Sequence, residues 1–166
     1  MGGLEAIIEK QLKVLKNRNH TDWDGSKYEI VKRSNLTAKG DFGEEVATDL
    51  FSNMGFPSKI VNKGKGDFDI LLNEEVKIEH KLATLDTNTS FQFNGIKKYI
   101  DYDYVFCLGV SPEFLSFKIV SQKWCNKYLT VPMSKNGDDT YKYTVKEKNM
   151  ILLNKENLKK EIDKIV

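Results

Sequence analysis

The sequence predicts an α/β chain of the α+β kind, with a central mixed sheet flanked by helices, and three observations carry that expectation. Residues 68–82 alternate apolar and polar with period two on either side of Asn73-Glu74-Glu75, as a hairpin with one buried face does. Tyr104 to Val110 and Phe114 to Val120 are apolar runs of strand length. Apolar residues at helical spacing precede the hairpin and return in the tail. The length of 166 residues fits one domain, spanning 1–166, with a single sizeable core.

In chain order, Leu4, Ile7, Ile8, Leu12 and Leu15 form a stripe, so residues 4–16 are expected as a helix packing by one side, against the core or a dimer partner. Asn17 to Asn35 is polar, anchored by Trp23, Tyr28, Ile30 and Val31, and reads as a loop with one short element. Asp41 to Met54 places Phe42, Val46, Ala47, Leu50, Phe51 and Met54 at helical spacing, and Gly55 and Pro57 stop it. Lys59-Ile60-Val61 suits a short strand before the hairpin. Beyond it, Ser90 is expected to cap a helix from Phe91 to Tyr99 or Ile100 that turns Phe93, Ile96 and Ile100 inward. The two apolar runs extend the sheet. Ser121 to Leu129 reads as a helix, Thr140 to Val145 as an alternating strand after a turn at residues 136–139, and the tail from Asn154 as a charged helix with Leu158, Ile162 and Ile165 on one side.

The hairpin carries the chemistry. If Leu72 pairs with Val76, the even positions Phe68, Ile70, Leu72, Val76, Ile78, His80 and Leu82 share a core face. The odd positions Asp67, Asp69, Leu71, Lys77, Glu79 and Lys81 share the other, with Asp69 opposite Glu79 and Lys81 two residues beyond. Opposed carboxylates repel, and a hard divalent cation with oxygen ligands, Mg2+ or Mn2+, relieves that repulsion. A lysine beside them is placed to hold or deprotonate a water or to stabilise a developing phosphorane charge. The same residues also fit a hairpin whose charged face is simply solvated.

Asp69 with Glu79-His80-Lys81 resembles the PD-(D/E)xK nuclease superfamily, most closely a small type II restriction endonuclease, with Phe68 standing where the usual proline would be. The resemblance implies a restriction-endonuclease-like sheet and Mg2+-dependent hydrolysis of DNA phosphodiesters, with Mn2+ as a possible substitute. It makes Asp69, Glu79 and the His80 backbone carbonyl metal ligands, and gives Lys81 the attacking water. Glu44 matches a glutamate that faces the metal in some members; a solvated first-turn residue favourable to the helix dipole is the other reading. Gln92 is a candidate for the water, the scissile phosphate or a base edge, against a plain surface residue. Lys63, Lys65, Gln92, Asn94 and Lys97 are expected to meet double-stranded DNA. Asp67 is the alternative metal ligand. The small size suits a homodimer that cuts both strands, leaving 5'-phosphate and 3'-hydroxyl ends. A structure-specific repair or junction nuclease, the nuclease subunit of a larger complex, and a non-catalytic DNA-binding module are the competing readings.

Composition narrows the field further. A net charge of +2 neither demands nor excludes a nucleic-acid partner. Cys107 and Cys125 lack metal-ligand spacing and read as reduced, buried thiols of a cytoplasmic protein. Two histidines leave no basis for a histidine-based zinc site, and His80, on the core face, is ill placed for a hydrolase triad. Gly64 and Gly66 fit neither nucleotide-loop spacing, and no apolar run reaches membrane-spanning length.

Overall fold

A computed structural model describes residues 3–18, 21–62, 65–134 and 139–166. Its helices are α1 (Gly3–Arg18), α2 (Glu29–Arg33), α3 (Leu36–Asn53), α4 (Gln122–Tyr128) and α5 (Lys155–Ile162). Its strands are β1 (Ser58–Ile60), β2 (Ile70–Leu72), β3 (Val76–Thr84), β4 (Ser90–Lys97), β5 (Tyr104–Val110), β6 (Leu115–Ser121), β7 (Val131–Pro132), β8 (Thr140–Lys146) and β9 (Ile151–Leu152). Six strands in the order β1-β2-β3-β5-β6-β9 make a mixed central sheet, parallel only between β3 and β5. Strands β4, β8 and β7 form a second, antiparallel sheet.

The hairpin has the expected register, Ile70 against Ile78 and Leu72 against Val76, and its turn places Asn73 and Glu74 at positive φ. Val76, Ile78 and His80 are therefore buried on one face of β3 with Phe106 and Leu108 of β5, under Ala47 and Phe51 of α3 and Leu158 and Ile162 of α5. On the opposite face Ala83, Val105, Cys107 and Val120 pack against Phe91, Phe93, Ile96 and Val145 of the second sheet and Cys125 of α4. Helices thus cover one side and a smaller sheet the other. Phe68 departs from its expected place: β2 begins only at Ile70, and Phe68 packs with the second-sheet cluster instead.

The expected helix over 91–100 is strand β4. Phe91 and Phe93 face inward two residues apart, then a bulge at Asn94-Gly95, with Gly95 at φ 74°, shifts the register before Ile96. Helix α3 starts five residues before the expected Asp41, because the Asn35 side chain accepts the Ala38 N–H at 2.8 Å and caps it. Strand β8 joins β4 rather than the central sheet. The apolar stripe of α1 is exposed along its length, with Leu4 at 74 % and Leu12 at 57 %.

Gly43 marks a close approach of α3 to β3. A Cβ there would lie 2.3 Å from His80 Cε1 and 2.9 Å from Nε2. Gly43→Ala is expected to destabilise the protein despite alanine's better helix propensity, since overpacking costs about 1–3 kcal/mol and the propensity gain is at most about 1. A thermal melt at or above that of the parent would show that the His80 ring turns aside freely.

Candidate active site

The site lies where β2 ends. Strand β3 continues past Ile78 to Thr84 with β5 on one side only, so its other edge opens beyond Ile70. Asp69 stands at the point of departure: its backbone N–H still donates to the Ile78 carbonyl, and its carboxylate Oδ2 accepts the His80 backbone N–H at 2.8 Å. In a strand, a residue's N–H and C=O point to the same edge, so the His80 carbonyl is turned toward this opening as well.

A cleft of ≈ 580 Å³ occupies the opening, lined by Asp69, Glu79, His80 and Lys81 together with Glu44, Gln92 and Asn94. Glu79 and Lys81 share the odd face of β3, and Lys81 Nζ is 2.9 Å from Glu79 Oε1, with only 23 % of the lysine and 15 % of the glutamate side chain exposed. Gln92 donates to Asn94 Oδ1 at 2.8 Å on the exposed side of β4. Gly95 of this strand lies beside Lys81, where a Cβ would make ordinary contact at 3.7 Å from Nζ, and it is the positive φ of 74° that favours glycine there. Glu44 reaches the same cleft from α3.

The other expected residues separate. Lys63 lies outside the described residues. Lys65 is exposed in the loop before β2 and is not part of the cleft wall, whereas Lys97, at the end of β4, acts on Glu79 only through its charge. Asp67, the alternative ligand, accepts the Asp101 backbone N–H at 3.1 Å and is not part of the cleft wall. Lys39, Gly40, Met133 and Thr140 also line the cleft, and the sequence reading missed them.

The charges explain one another. Burial pushes the Glu79 carboxyl up from its ordinary range, the Lys81 ammonium pulls it back, and the neighbouring Asp69 charge pushes it up again. His80 is the opposite case: burial holds its imidazole neutral, with a pKa lowered to about 3, stacked on Phe106 with ring centroids 6.0 Å apart. Its ring belongs to the core, and its backbone N–H meets Asp69 at the cleft. Among the described residues no three His, Cys, Asp or Glu side chains converge as a metal-binding group, so a metal here would rest on the two carboxylates and backbone oxygen.

Glu79 is therefore a stability liability that function would have to justify. A carboxyl whose folded pKa lies above its unfolded one adds stability in acid and loses it as pH rises through the folded value. Glu79→Gln is expected to melt higher than the parent at neutral pH and close to it in acid. Equal melting differences at the two pH values would remove the burial argument.

No protein-family model matches the chain, and no curated protein matches it in sequence. Among solved structures it is similar to a bacterial homing endonuclease, I-Ssp6803I, with a TM-score of 0.51 and 12 % identity over 79 % of this chain and 94 % of that one. At this identity the likeness is one of fold, carried in this chain by a mixed sheet flanked by helices. Among the described residues, no helix is long and apolar enough to cross a membrane.

Proposed function

We propose that the chain is a Mg2+-dependent endodeoxyribonuclease that cuts double-stranded DNA at defined sequences, as a type II restriction enzyme does. The observation that carries this reading is the meeting of Asp69, Glu79 and Lys81 at the open edge of β3, on a fold that an endonuclease shares. Two carboxylates and a backbone carbonyl are hard oxygen donors, the set that suits Mg2+, with Mn2+ as a substitute. The raised pKa of Glu79 fits such a site, because a desolvated carboxylate beside a second one gains most from a cation.

Asp69, Glu79 and the His80 carbonyl would hold the ion. Bound there, it would polarise a phosphoryl oxygen and make a nucleophile of its water at neutral pH. The chain's own groups do the rest. Lys81, anchored 2.9 Å from Glu79, orients the attacking water and offsets charge building on the phosphate. Gln92 and Asn94 present amides on the β4 side of the cleft toward the scissile phosphate or a base edge, and Lys65 and Lys97 supply positive charge to the flanking backbone. Glu44 adds a carboxylate on the α3 side of the cleft. A homodimer in the cytoplasm would cut both strands.

The fold neighbour favours a second reading, a site-specific endonuclease of homing type that reads a longer sequence. A digest of a sequenced plasmid with Mg2+, and a control with EDTA, separates the readings. A short recognition sequence gives several discrete bands. A long one leaves most plasmids intact and cuts one member of a randomised-site library. Cleavage of branched DNA alone would indicate a junction nuclease, and DNA binding without any cleavage would leave a non-catalytic module and overturn the proposal.

A further inference from the structure

Helix α1 presents Leu4, Ile7, Ile8, Leu12, Val14 and Leu15 to solvent, each between 38 % and 74 % exposed. At about 3.6 residues per turn these six lie on one side of a helix roughly 24 Å long. Scattered exposed leucines need no explanation, but a continuous apolar face on one element does. Among the described residues nothing else covers it.

The sequence of α1 is self-complementary when it is laid against a reversed copy of itself. About the midpoint between Glu9 and Lys10, Leu4 mirrors Leu15 and Ile7 mirrors Leu12. The charges are divided about the same point: Glu5 and Glu9 in the first half, Lys10 and Lys13 in the second. Two parallel copies would set acid beside acid and base beside base. Two antiparallel copies set each acidic half beside a basic one and oppose the helix dipoles favourably. Gln11 falls within the apolar side next to the midpoint, and one polar residue on such a seam selects register at some cost in stability.

We infer that α1 is a dimerisation element whose occupant is α1 of a second copy of this chain, paired antiparallel about a two-fold axis near Glu9-Lys10. A two-fold contact requires a patch that complements itself, which this helix does in both shape and charge. The contact is small, so the dimer dissociates on dilution. The inference stands apart from the nuclease reading, because assembly is measured without DNA.

The test is sedimentation velocity of the full chain over a dilution series, expected to pass from dimer to monomer. Ile8→Glu with Leu12→Glu should leave a monomer at every concentration while the thermal melt of the body is unchanged. Glu5→Lys with Glu9→Lys should weaken the dimer by about tenfold, the sum of a few reversed surface pairs, as should Lys10→Glu with Lys13→Glu, and mixing the two variants should restore association. For orientation, a Leu4→Cys chain should cross-link to a Leu15→Cys chain and not to itself. A parent that is monomeric throughout, a dimer that survives the Ile8 and Leu12 changes, or cross-linking of the Leu4→Cys chain to itself would each overturn the proposal.

Discussion

Asp69→Asn is expected to abolish DNA cleavage while leaving the protein folded and able to bind DNA. Asparagine keeps a side-chain oxygen for the His80 N–H that the Asp69 carboxylate now accepts at 2.8 Å, so the departure of β2 from β3 is preserved and only the charge is lost. Metal-assisted phosphoryl transfer draws several kcal/mol of transition-state stabilisation from the ion, and about 1.4 kcal/mol is tenfold in rate, so a fall of about a thousandfold or more follows. Glu79→Gln should fall as far. Binding to an uncut duplex should be equal or tighter in the two variants, because each removes a negative charge that faces phosphate. Single-turnover cleavage and a binding titration on the same DNA would check this, and near-normal cutting by these variants would remove Asp69 and Glu79 from the active site. Asp69→Ala is the less informative change, since it also leaves the His80 N–H without its acceptor.

How far the site could be read from residues alone depended on where the side-chain period stayed regular. Between Ile70 and Ile78 it did, and the pairing of Leu72 with Val76 placed Glu79 and Lys81 on one face without ambiguity. It broke at Asp69, where the carboxylate turns to the backbone of β3, and Phe68 accordingly crosses to the opposite core. Strand β4 was unreadable for a similar reason. Phe91, Phe93 and Ile96 are two and then three residues apart, a spacing that a helix produces as easily as a strand with a bulge, and only the positive φ of Gly95 decides between them. That error had a benign consequence for Gln92 and Asn94, which reach the cleft from a strand edge rather than from a helix. Lys39 was missed because the helix was expected to begin only at Asp41, whereas Asn35 caps it well ahead of that point and Gly40 sits within it with room for a Cβ. The apolar stripe of α1 was plain in the sequence, but what it packs against is not encoded in its periodicity.

Lys81→Ala is expected to cut about 10²–10³-fold more slowly than the parent, the usual worth of one preorganised donor at a transition state. The position of Lys81 adds a second, pH-dependent effect. Its ammonium is the group that holds the desolvated Glu79 carboxyl down, at 2.9 Å, against burial and the Asp69 charge. Without it the Glu79 pKa rises further, and a larger share of the carboxyl is protonated at neutral pH. Because a protonated Glu79 is a poor metal ligand, the rate–pH profile of the variant should move to higher pH, and more Mg2+ should be needed at neutral pH than in alkali. The sign for stability follows from the same shift: the variant should melt close to the parent in acid and below it as pH rises, since the raised carboxyl ionises in the fold at increasing cost. Cleavage measured across a pH and Mg2+ series, with melts at the same pH values, separates this from a purely structural lysine. A variant that melts early at every pH, and whose folded fraction cuts at the parental rate, would take Lys81 out of the chemistry and leave Glu79 and Asp69 without the cation that the mechanism assigns to their side.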